Sequence, residues 1–139
     1  MDQLYQDRIL AFARSVRDTP ELDDATHVAS VSNPTCGDRV NIRLKLEAGR
    51  IVAASTAVRG CALCEAGAGF LLEMAPGLTP EEFTGMGGTL RDWLGGEDGI
   101  DIPNPMSAFA PVREIRNRHK CVTLAFEAGT AALSSDNAD

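Results

Sequence analysis

The sequence predicts an α+β domain in which a small three-stranded antiparallel sheet is packed on one face by helices. Residues 39–47 alternate between apolar and polar side chains, the period of a strand with one buried face. A glycine-containing turn at residues 47–50 joins this run to a second one, as in a β-hairpin. Before and after these strands, apolar residues recur at helical spacing. The hairpin and the flanking helices together give the predicted class.

An amphipathic helix is predicted near the N-terminus, over residues 4–16. Its apolar face consists of Tyr5, Ile9, Phe12 and Val16. Thr19 and Pro20 close this helix, since proline disfavours a helical conformation at the residue before it. After an acidic link, residues 27–32 form the first predicted strand.

The hairpin supplies the second and third strands, over residues 39–47 and 50–60. The side chains predicted to face the core are Val40, Ile42, Leu44 and Leu46. The side chains predicted to face solvent are Arg39, Asn41, Arg43 and Lys45. The sheet should therefore have one dry and one wet face.

Past the sheet the period changes from that of a strand to that of a helix. Residues 61–75 are rich in small residues and then Leu and Met, which predicts a helix packed tightly on the sheet and ended by Pro76. Two short helices are expected next, one capped by Thr79 with Glu82 and one at residues 89–94. The composition of residues 95–105 predicts a loop.

Two further helices are predicted in the last third of the chain. Pro111 suits the first turn of a helix that runs to Asn117. The final helix presents an apolar side made of Val122, Ala125, Phe126 and Leu133. Residues 134–139 are predicted to be a flexible tail, so that residues 1–133 form a single domain.

Bulk properties exclude several classes of function. The chain has 139 residues, a net charge of −7 and no apolar run near the roughly 20 residues that a spanning helix needs. An acidic chain does not favour a nucleic-acid surface, because phosphate binding depends on clustered Lys and Arg. With an N-terminus unlike an export signal, the sequence predicts a soluble cytoplasmic protein that binds neither nucleic acid nor a membrane.

Cysteines carry the predicted chemistry. The four are Cys36, Cys61, Cys64 and Cys121, too few for a disulfide scaffold in a reducing compartment. Cys36 lies in a Pro/Gly turn, where a thiol is accessible, and Asp38 follows two positions later. On spacing alone, Asp38 is as well explained by a turn residue that bonds its own backbone.

Two other cysteines lie where a thiolate is favoured. Cys61 is expected at a helix N-terminus, and Cys121 follows the basic cluster of residues 113–120. If these thiols converge with Cys36 and Asp38, they form a Cys₃Asp set of the kind that zinc accepts. Spacing does not determine whether they converge.

Other candidate residues have plainer explanations. Cys61 and Cys64 form a single C-x-x-C, which without a second pair is a weak zinc signal; a core position or a bystander is favoured for Cys64, and a resolving thiol is the alternative. His119 is interpreted as a surface histidine in a basic run. His27 has no partner in sequence and receives no role.

Three motifs carry a family resemblance: NPTCGDRV, VRGCAL and RHKCVTLAF, in that order. They closely resemble the iron–sulfur cluster scaffold family of SufU, IscU and the NifU N-terminal domain, over roughly residues 3–130. Lys120, where IscU proteins carry histidine, and an insertion-like segment near residues 76–105 resemble the SufU branch. The sequence departs from the family at Cys64, where members usually have a serine-rich helix start, and at the end of the first helix.

The resemblance implies a ligand set and a function. It implies that Cys36, Asp38, Cys61 and Cys121 hold Zn²⁺, as in SufU-like members, or a [2Fe–2S] cluster, as in IscU-like members. It implies sulfur transfer from a SufS-like cysteine desulfurase, with Cys36 as the persulfide acceptor and Arg118 as electrostatic support. Downstream partners would be iron–sulfur acceptor or carrier proteins.

Three classes of function stay open at this level. A non-enzymatic scaffold is favoured, and a zinc-dependent sulfurtransferase working with a desulfurase is its nearest variant. A purely structural zinc domain requires only a closed site with inaccessible thiols. A zinc hydrolase is disfavoured, because the chain has no H-E-x-x-H motif and only two histidines.

Overall fold

The protein folds into four α-helices and a three-stranded sheet, seen in a computed structural model that describes residues 3–34 and 37–134. The helices are α1 (Gln3–Asp18), α2 (Ala62–Met74), α3 (Pro80–Leu94) and α4 (His119–Ser134). The strands are β1 (His27–Asn33), β2 (Asp38–Glu47) and β3 (Arg50–Arg59). Two 3₁₀ helices, Asn104–Glu114 and Arg116–Arg118, lead into α4.

The sheet is antiparallel with strand order β1-β2-β3, which confirms the predicted class. Ala48 and Gly49 form the two-residue hairpin turn, with φ angles of 54° and 79°. Both angles are positive, as a type I′ turn requires, and this turn matches the twist of the flanking strands. The predicted hairpin is therefore correct in both position and type of connection.

One face of the sheet is buried and the other is open, as the alternation predicted. Val40, Ile42 and Leu44 are fully buried or nearly so. They contribute to a core that α2 and α4 close from one side. Leu46 is only half-buried, because the register of β2 on β3 shifts between Lys45 and Leu46.

Two glycines bring α2 into close contact with its neighbouring helices. A Cβ on Gly69 would overlap the carbonyl oxygen of Phe12 in α1, and a Cβ on Gly67 would overlap that of Val122 in α4. Each glycine costs a helix about 1 kcal/mol relative to alanine. Packing of three helices at this spacing requires both, since any side chain would push the backbones apart.

Helix α3 is continuous, and the prediction of two short helices was wrong here. The predicted capping box is present: Glu82 N–H donates to Thr79 Oγ1 at 3.2 Å, and Thr79 N–H donates to Glu82 Oε1 at 2.9 Å. The helix continues without a break into residues 89–94. A Cβ on Gly87 would lie 3.2 Å from Phe126 Cβ, so packing against α4 compensates for low helix propensity.

The predicted α-helix from Pro111 to Asn117 was also wrong. Pro111 lies inside a 3₁₀ helix, Asn104–Glu114, which ends at Ile115 with φ −112° and ψ 77°. Runs of 3₁₀ helix this long are uncommon and have no sequence period that would reveal them. Here tertiary contacts hold the segment, since the ring of Phe109 lies 5.8 Å from those of Phe12 and Phe70.

The expected C-terminal boundary falls close to the end of α4. Ser134, predicted to begin the tail, is the last residue of that helix. Residues 135–139 lie outside the part of the chain that the structure describes. Within the ranges 3–34 and 37–134, no helix has both the length and the apolar character needed to span a bilayer.

Two Gly→Ala substitutions should change the free energy of unfolding in opposite directions, because Gly69 in α2 is closely packed and Gly85 in α3 is not. Gly69→Ala should lower the free energy of unfolding by about 1–3 kcal/mol, because the new methyl group meets backbone. Gly85→Ala, in α3 with no atom within 4 Å of the new Cβ, should raise it by up to about 1 kcal/mol. Urea unfolding of both variants measures this difference, and equal effects would contradict the packing account.

Candidate metal centre

Three of the predicted ligands converge from distant parts of the chain. Asp38 is the first residue of β2, Cys61 is the N-cap of α2, and Cys121 is the third residue of α4. Their ligand atoms, one carboxylate oxygen and two Sγ atoms, all lie within 4.8 Å of one another. The sheet end and the N-termini of two helices therefore meet at one point.

The carboxylate of Asp38 fits a cluster that binds a cation. Asp38 is only 6% exposed, and its Oδ2 atom has no hydrogen-bond partner among the described residues. A buried carboxylate oxygen without a partner is costly unless a metal or another cation satisfies it. Two thiols and a carboxylate oxygen are a donor set that zinc and iron–sulfur clusters accept. The interpretation of Asp38 as a turn residue alone does not explain this burial.

Gly60 makes room for the carboxylate, a role the sequence analysis missed. A Cβ at position 60 would lie 2.7 Å from Asp38 Oδ1 and 2.9 Å from its Cγ. Any larger residue would push Asp38 away from Cys61. The signal was present in the sequence as a glycine directly before a cysteine, but only the tertiary structure identifies Asp38 as the neighbour.

Exposure of the ligands is uneven. Cys121 is 3% exposed, whereas Cys61 is half-buried. The centre is therefore closed on the side of α4 and partly open on the side of α2. A partly exposed thiol is the kind that can react with a partner, while a fully buried one is inert.

The Cys121 thiol holds its proton in the absence of metal. Burial, the hydrogen bond to Asp38 and the neighbouring Cys61 together raise the pKa of Cys121 from 9.0 to about 12. The expectation that basic neighbours favour its ionised form was wrong. The Lys120 ammonium lies 2.8 Å from Glu127 Oε1, where it forms an ion pair along α4. A metal that binds here must displace this proton.

Cys36, the fourth predicted ligand, lies outside the described residues. The described chain on either side closes a turn, in which Gly37 N–H donates to Asn33 O at 2.8 Å and Gly37 has a φ of 77°. Asn33 and Asp38 are paired across the first two strands. The assignment of Cys36 therefore rests on sequence and resemblance.

Cys64 lies in the core. It is fully buried in the first turn of α2, beyond the ligand Cys61. This burial agrees with the preferred interpretation of Cys64 as a core residue.

His119 is more than a surface residue, which corrects the prediction made for it. It is half-buried, and its Nε2 lies 2.9 Å from Val112 O and 3.1 Å from Arg113 O. Both carbonyls only accept hydrogen bonds, so Nε2 carries the proton. His119 thus ties the start of α4 to the preceding 3₁₀ helix, whereas Arg118 directly before it is exposed.

A large groove lies apart from the cluster of Asp38, Cys61 and Cys121. It has a volume of about 850 Å³ and lies between α3 and α4. Arg91, Arg116 and Phe126 are among its lining residues, but none of the three converging ligands is. The groove therefore does not include the candidate metal centre.

Fold and cluster together define an α+β domain with a candidate metal centre of two cysteines and one aspartate. Residues 4–86 match the NifU-like N terminal domain family, and the chain belongs to that family. Among curated proteins it is 29% identical to the zinc-dependent sulfurtransferase SufU of Bacillus subtilis, over 92% of this chain and 88% of that protein. It is 30% identical to the iron–sulfur cluster assembly scaffold protein IscU of Thermotoga maritima, over 94% of this chain and 92% of that protein.

Solved structures share the fold. A NifU-like protein (N-terminal) from Brucella abortus superposes with a TM-score of 0.79 at 26% identity, covering 93% of this chain and 91% of that one. FiSufU from Fervidobacterium islandicum AW-1 superposes with a TM-score of 0.81, covering 92% of this chain and 95% of that one. At 22% identity, the second comparison concerns the fold alone. The resemblance deduced from the three cysteine motifs is confirmed.

The raised pKa of Cys121 predicts a loss of stability at alkaline pH in protein stripped of metal. The folded state holds the thiol proton up to about pH 12, whereas the unfolded chain releases it near 9.0. Stability is therefore complete below pH 9 and falls as the pH rises toward 12. Urea unfolding across this pH range should show a smaller fall in the free energy of unfolding for Cys121→Ala than for the wild type. Val122→Ala, a truncation at the next and fully buried position, should keep the wild-type fall; an equal fall in all three proteins would contradict the assignment.

Proposed function

We propose that this protein accepts persulfide sulfur from a cysteine desulfurase and supports the assembly of iron–sulfur clusters. The observation that carries the proposal is the convergence of Asp38, Cys61 and Cys121 within 4.8 Å. The unpartnered Oδ2 of Asp38 supports it further, because it leaves an oxygen available to a cation. Relatives named for sulfur transfer and for cluster assembly match nearly the whole chain.

The proposed ligands are Cys36, Asp38, Cys61 and Cys121. The last three are placed together in the structure, and the first follows from the family motif. A set of three sulfurs and one oxygen suits tetrahedral Zn²⁺, and thiolates equally suit a [2Fe–2S] cluster as cargo. Bound zinc would keep the thiols in the ionised form that reacts with sulfur donors. Asp38 favours a zinc site with one oxygen ligand over a closed site with sulfur ligands alone, since carboxylate oxygen is a ligand that zinc accepts.

Sulfur acceptance needs one nucleophilic thiolate. The Cys36 thiolate attacks the outer sulfur of a persulfide on the desulfurase. The S–S bond of that persulfide breaks, the desulfurase leaves as a thiolate, and Cys36 carries the new persulfide. No oxidant or reductant is consumed. Arg118, exposed one turn before Cys121, is proposed to favour the anionic groups that gather at this end of α4.

A structural zinc domain is the second candidate, and the burial of two ligands favours it. Asp38 and Cys121 are 6% and 3% exposed, which is typical of a closed centre. The half-buried Cys61 argues for the sulfur acceptor instead. Alkylation of Cys36 in the metal-loaded protein separates the two, because a structural site leaves that thiol unreactive even beside a desulfurase and cysteine.

The proposal extends to location and partners. We place the reaction in the cytoplasm, with a SufS-like desulfurase as the donor and iron–sulfur carrier or acceptor proteins downstream. No role with nucleic acid or membranes is proposed, in line with the net charge of −7. The protein acts as a scaffold or sulfur acceptor rather than as an enzyme with its own turnover.

Elemental analysis and absorption spectra of anaerobically purified protein test the proposal. They should be recorded before and after incubation with a cysteine desulfurase, cysteine and ferrous iron. About one zinc per chain, with persulfide on Cys36, indicates a SufU-like acceptor. Iron with acid-labile sulfide and visible charge-transfer bands indicates an IscU-like scaffold. Neither persulfide nor cluster, with a functioning desulfurase present, would overturn the proposed function.

Asp38→Ala should weaken metal retention. The substitution removes the only oxygen among the proposed ligands, so zinc should be lost to a chelator about 10–100-fold more readily. In a cluster-loaded form, the rate at which the cluster leaves should change. Asp23→Ala, which removes an exposed carboxylate from the same fold, is the matched control and should retain metal like the wild type. Unchanged metal content in Asp38→Ala would reduce Asp38 to a turn residue.

A further inference from the structure

The face of the sheet that points away from the helices, the outer sheet face, is basic. Its four cationic side chains are Arg39, Arg43 and Lys45 on β2 and Arg59 on β3. The other outward residues of β1 and β2 include the neutral polar Ser30 and Asn41 and the exposed Val28. Such a patch is unexpected in a chain with a net charge of −7.

The acidic link before β1 neutralises one end of this face. Lys45 Nζ lies 2.6 Å from Asp24 Oδ2 and 3.3 Å from Glu47 Oε2. Arg43 Nε donates to the carbonyl oxygen of Leu22 at 2.6 Å, and Leu22 N–H donates to Ser55 Oγ at 3.0 Å. The link therefore lies on the sheet, where it forms an ion pair with Lys45 and accepts a hydrogen bond from Arg43.

The other end has no such compensation. Arg39 and Arg59 are directly opposite one another on neighbouring strands, so their side chains emerge on the same face. Both are exposed, and Arg39 Nε donates to the neutral Ser32 Oγ at 3.3 Å. Within residues 3–34 and 37–134 neither arginine forms an ion pair. Like charges directly opposite each other destabilise a sheet, so the pair lowers stability without a partner.

The position of this pair connects it to the metal centre. Arg39 directly follows the ligand Asp38, and Arg59 is separated from the ligand Cys61 only by Gly60. Because neighbouring residues of a strand point to opposite faces, both arginines lie at the same end of the sheet as the centre but on its outer face. A partner that covers this end of the sheet would meet both guanidinium groups.

We propose that Arg39 and Arg59 form the contact for an acidic segment of the sulfur-donating desulfurase, an assignment that rests on the proposed function. One or two Asp or Glu side chains of the partner would form ion pairs with these arginines, as Asp24 does with Lys45 at the far end of the same face. Arginine suits this role, because its planar fork binds carboxylate through two parallel hydrogen bonds. Docking would relieve the repulsion between the two cations and hold the partner beside Cys61.

The test is the affinity of the metal-loaded protein for a cysteine desulfurase. Arg39→Gln/Arg59→Gln should weaken binding by about tenfold or more and flatten its salt dependence, because charged contacts at an interface act through steering and ion pairing. Arg50→Gln/Arg91→Gln is the matched control. It removes the same charge from two exposed ion pairs, with Glu82 and Asp92, and should bind within about twofold of wild type.

Two further readouts distinguish docking from a structural role. The metal content of Arg39→Gln/Arg59→Gln should equal that of the wild type. Its melting temperature should be unchanged or higher, because a repulsive pair has been removed. A lower melting temperature together with lost metal would show that the arginines support the fold or the centre, and would overturn the docking assignment.

The outcomes separate the failure of this inference from that of the proposed function. If wild-type protein binds the desulfurase and takes up sulfur, but the Arg39/Arg59 variant binds as tightly as the control, the docking inference alone is overturned. If wild-type protein neither binds nor accepts sulfur, both are overturned. If the variant instead loses only self-association in sedimentation, the surface pairs two copies of this chain and the inference is again overturned.

Discussion

Helix α2 contacts its two neighbouring helices with no side chain between the backbones. The candidate metal centre depends on this constraint. Gly69 lets α2 approach α1, and Gly67 lets it approach α4 beside Val122. Val122 directly follows the proposed ligand Cys121, and the proposed ligand Cys61 is the N-cap of α2. The spacing of two helix backbones thus sets the spacing of two thiols. Because packed interiors do not deform continuously, this distance is held by the whole helical layer.

Asp38 adds a second constraint that works against stability. The register of the sheet brings this carboxylate to the thiols, and Gly60 leaves the space for it. A buried carboxylate oxygen without a partner is unfavourable in a protein without metal. The raised pKa of Cys121 keeps its thiol neutral and costs no stability below pH 9. Proteins violate the usual rules of polar burial mainly at functional sites. A metal bound here would satisfy the carboxylate and would have to displace the thiol proton.

The sheet divides the molecule into a side that builds the candidate centre and an open side that carries cations. Helices bury the inner face, where Val40 and Ile42 belong to the core. The outer face carries cations, and among the described residues the acidic link forms an ion pair with Lys45, which is remote from the centre. The charge distribution, rather than the net charge of −7, therefore indicates how a partner would approach. The groove between α3 and α4 lies elsewhere and contributes nothing to this division.

Elements whose signal is local were predictable from the sequence. The period of two in β2, the turn at Ala48 and Gly49, and the capping box of α3 each depend on residues a few positions apart. The continuity of α3 was not predictable, because packing of Gly87 on Phe126 outweighs the low propensity of glycine. The 3₁₀ segment that contains Phe109 is likewise held by rings from two other helices.

At the site, too, the local sequence and the tertiary structure determined different features. The sequence by itself determined which residue types could bind metal and, through three short motifs, the family. Only the tertiary structure decided that Asp38, Cys61 and Cys121 meet, since ligands separated by 23 and 60 positions share no local pattern. It also reversed the expected ionisation of Cys121, because Lys120 pairs with Glu127 while the thiol is buried. Charge neighbours along a chain do not determine a pKa; burial and contacts through space do.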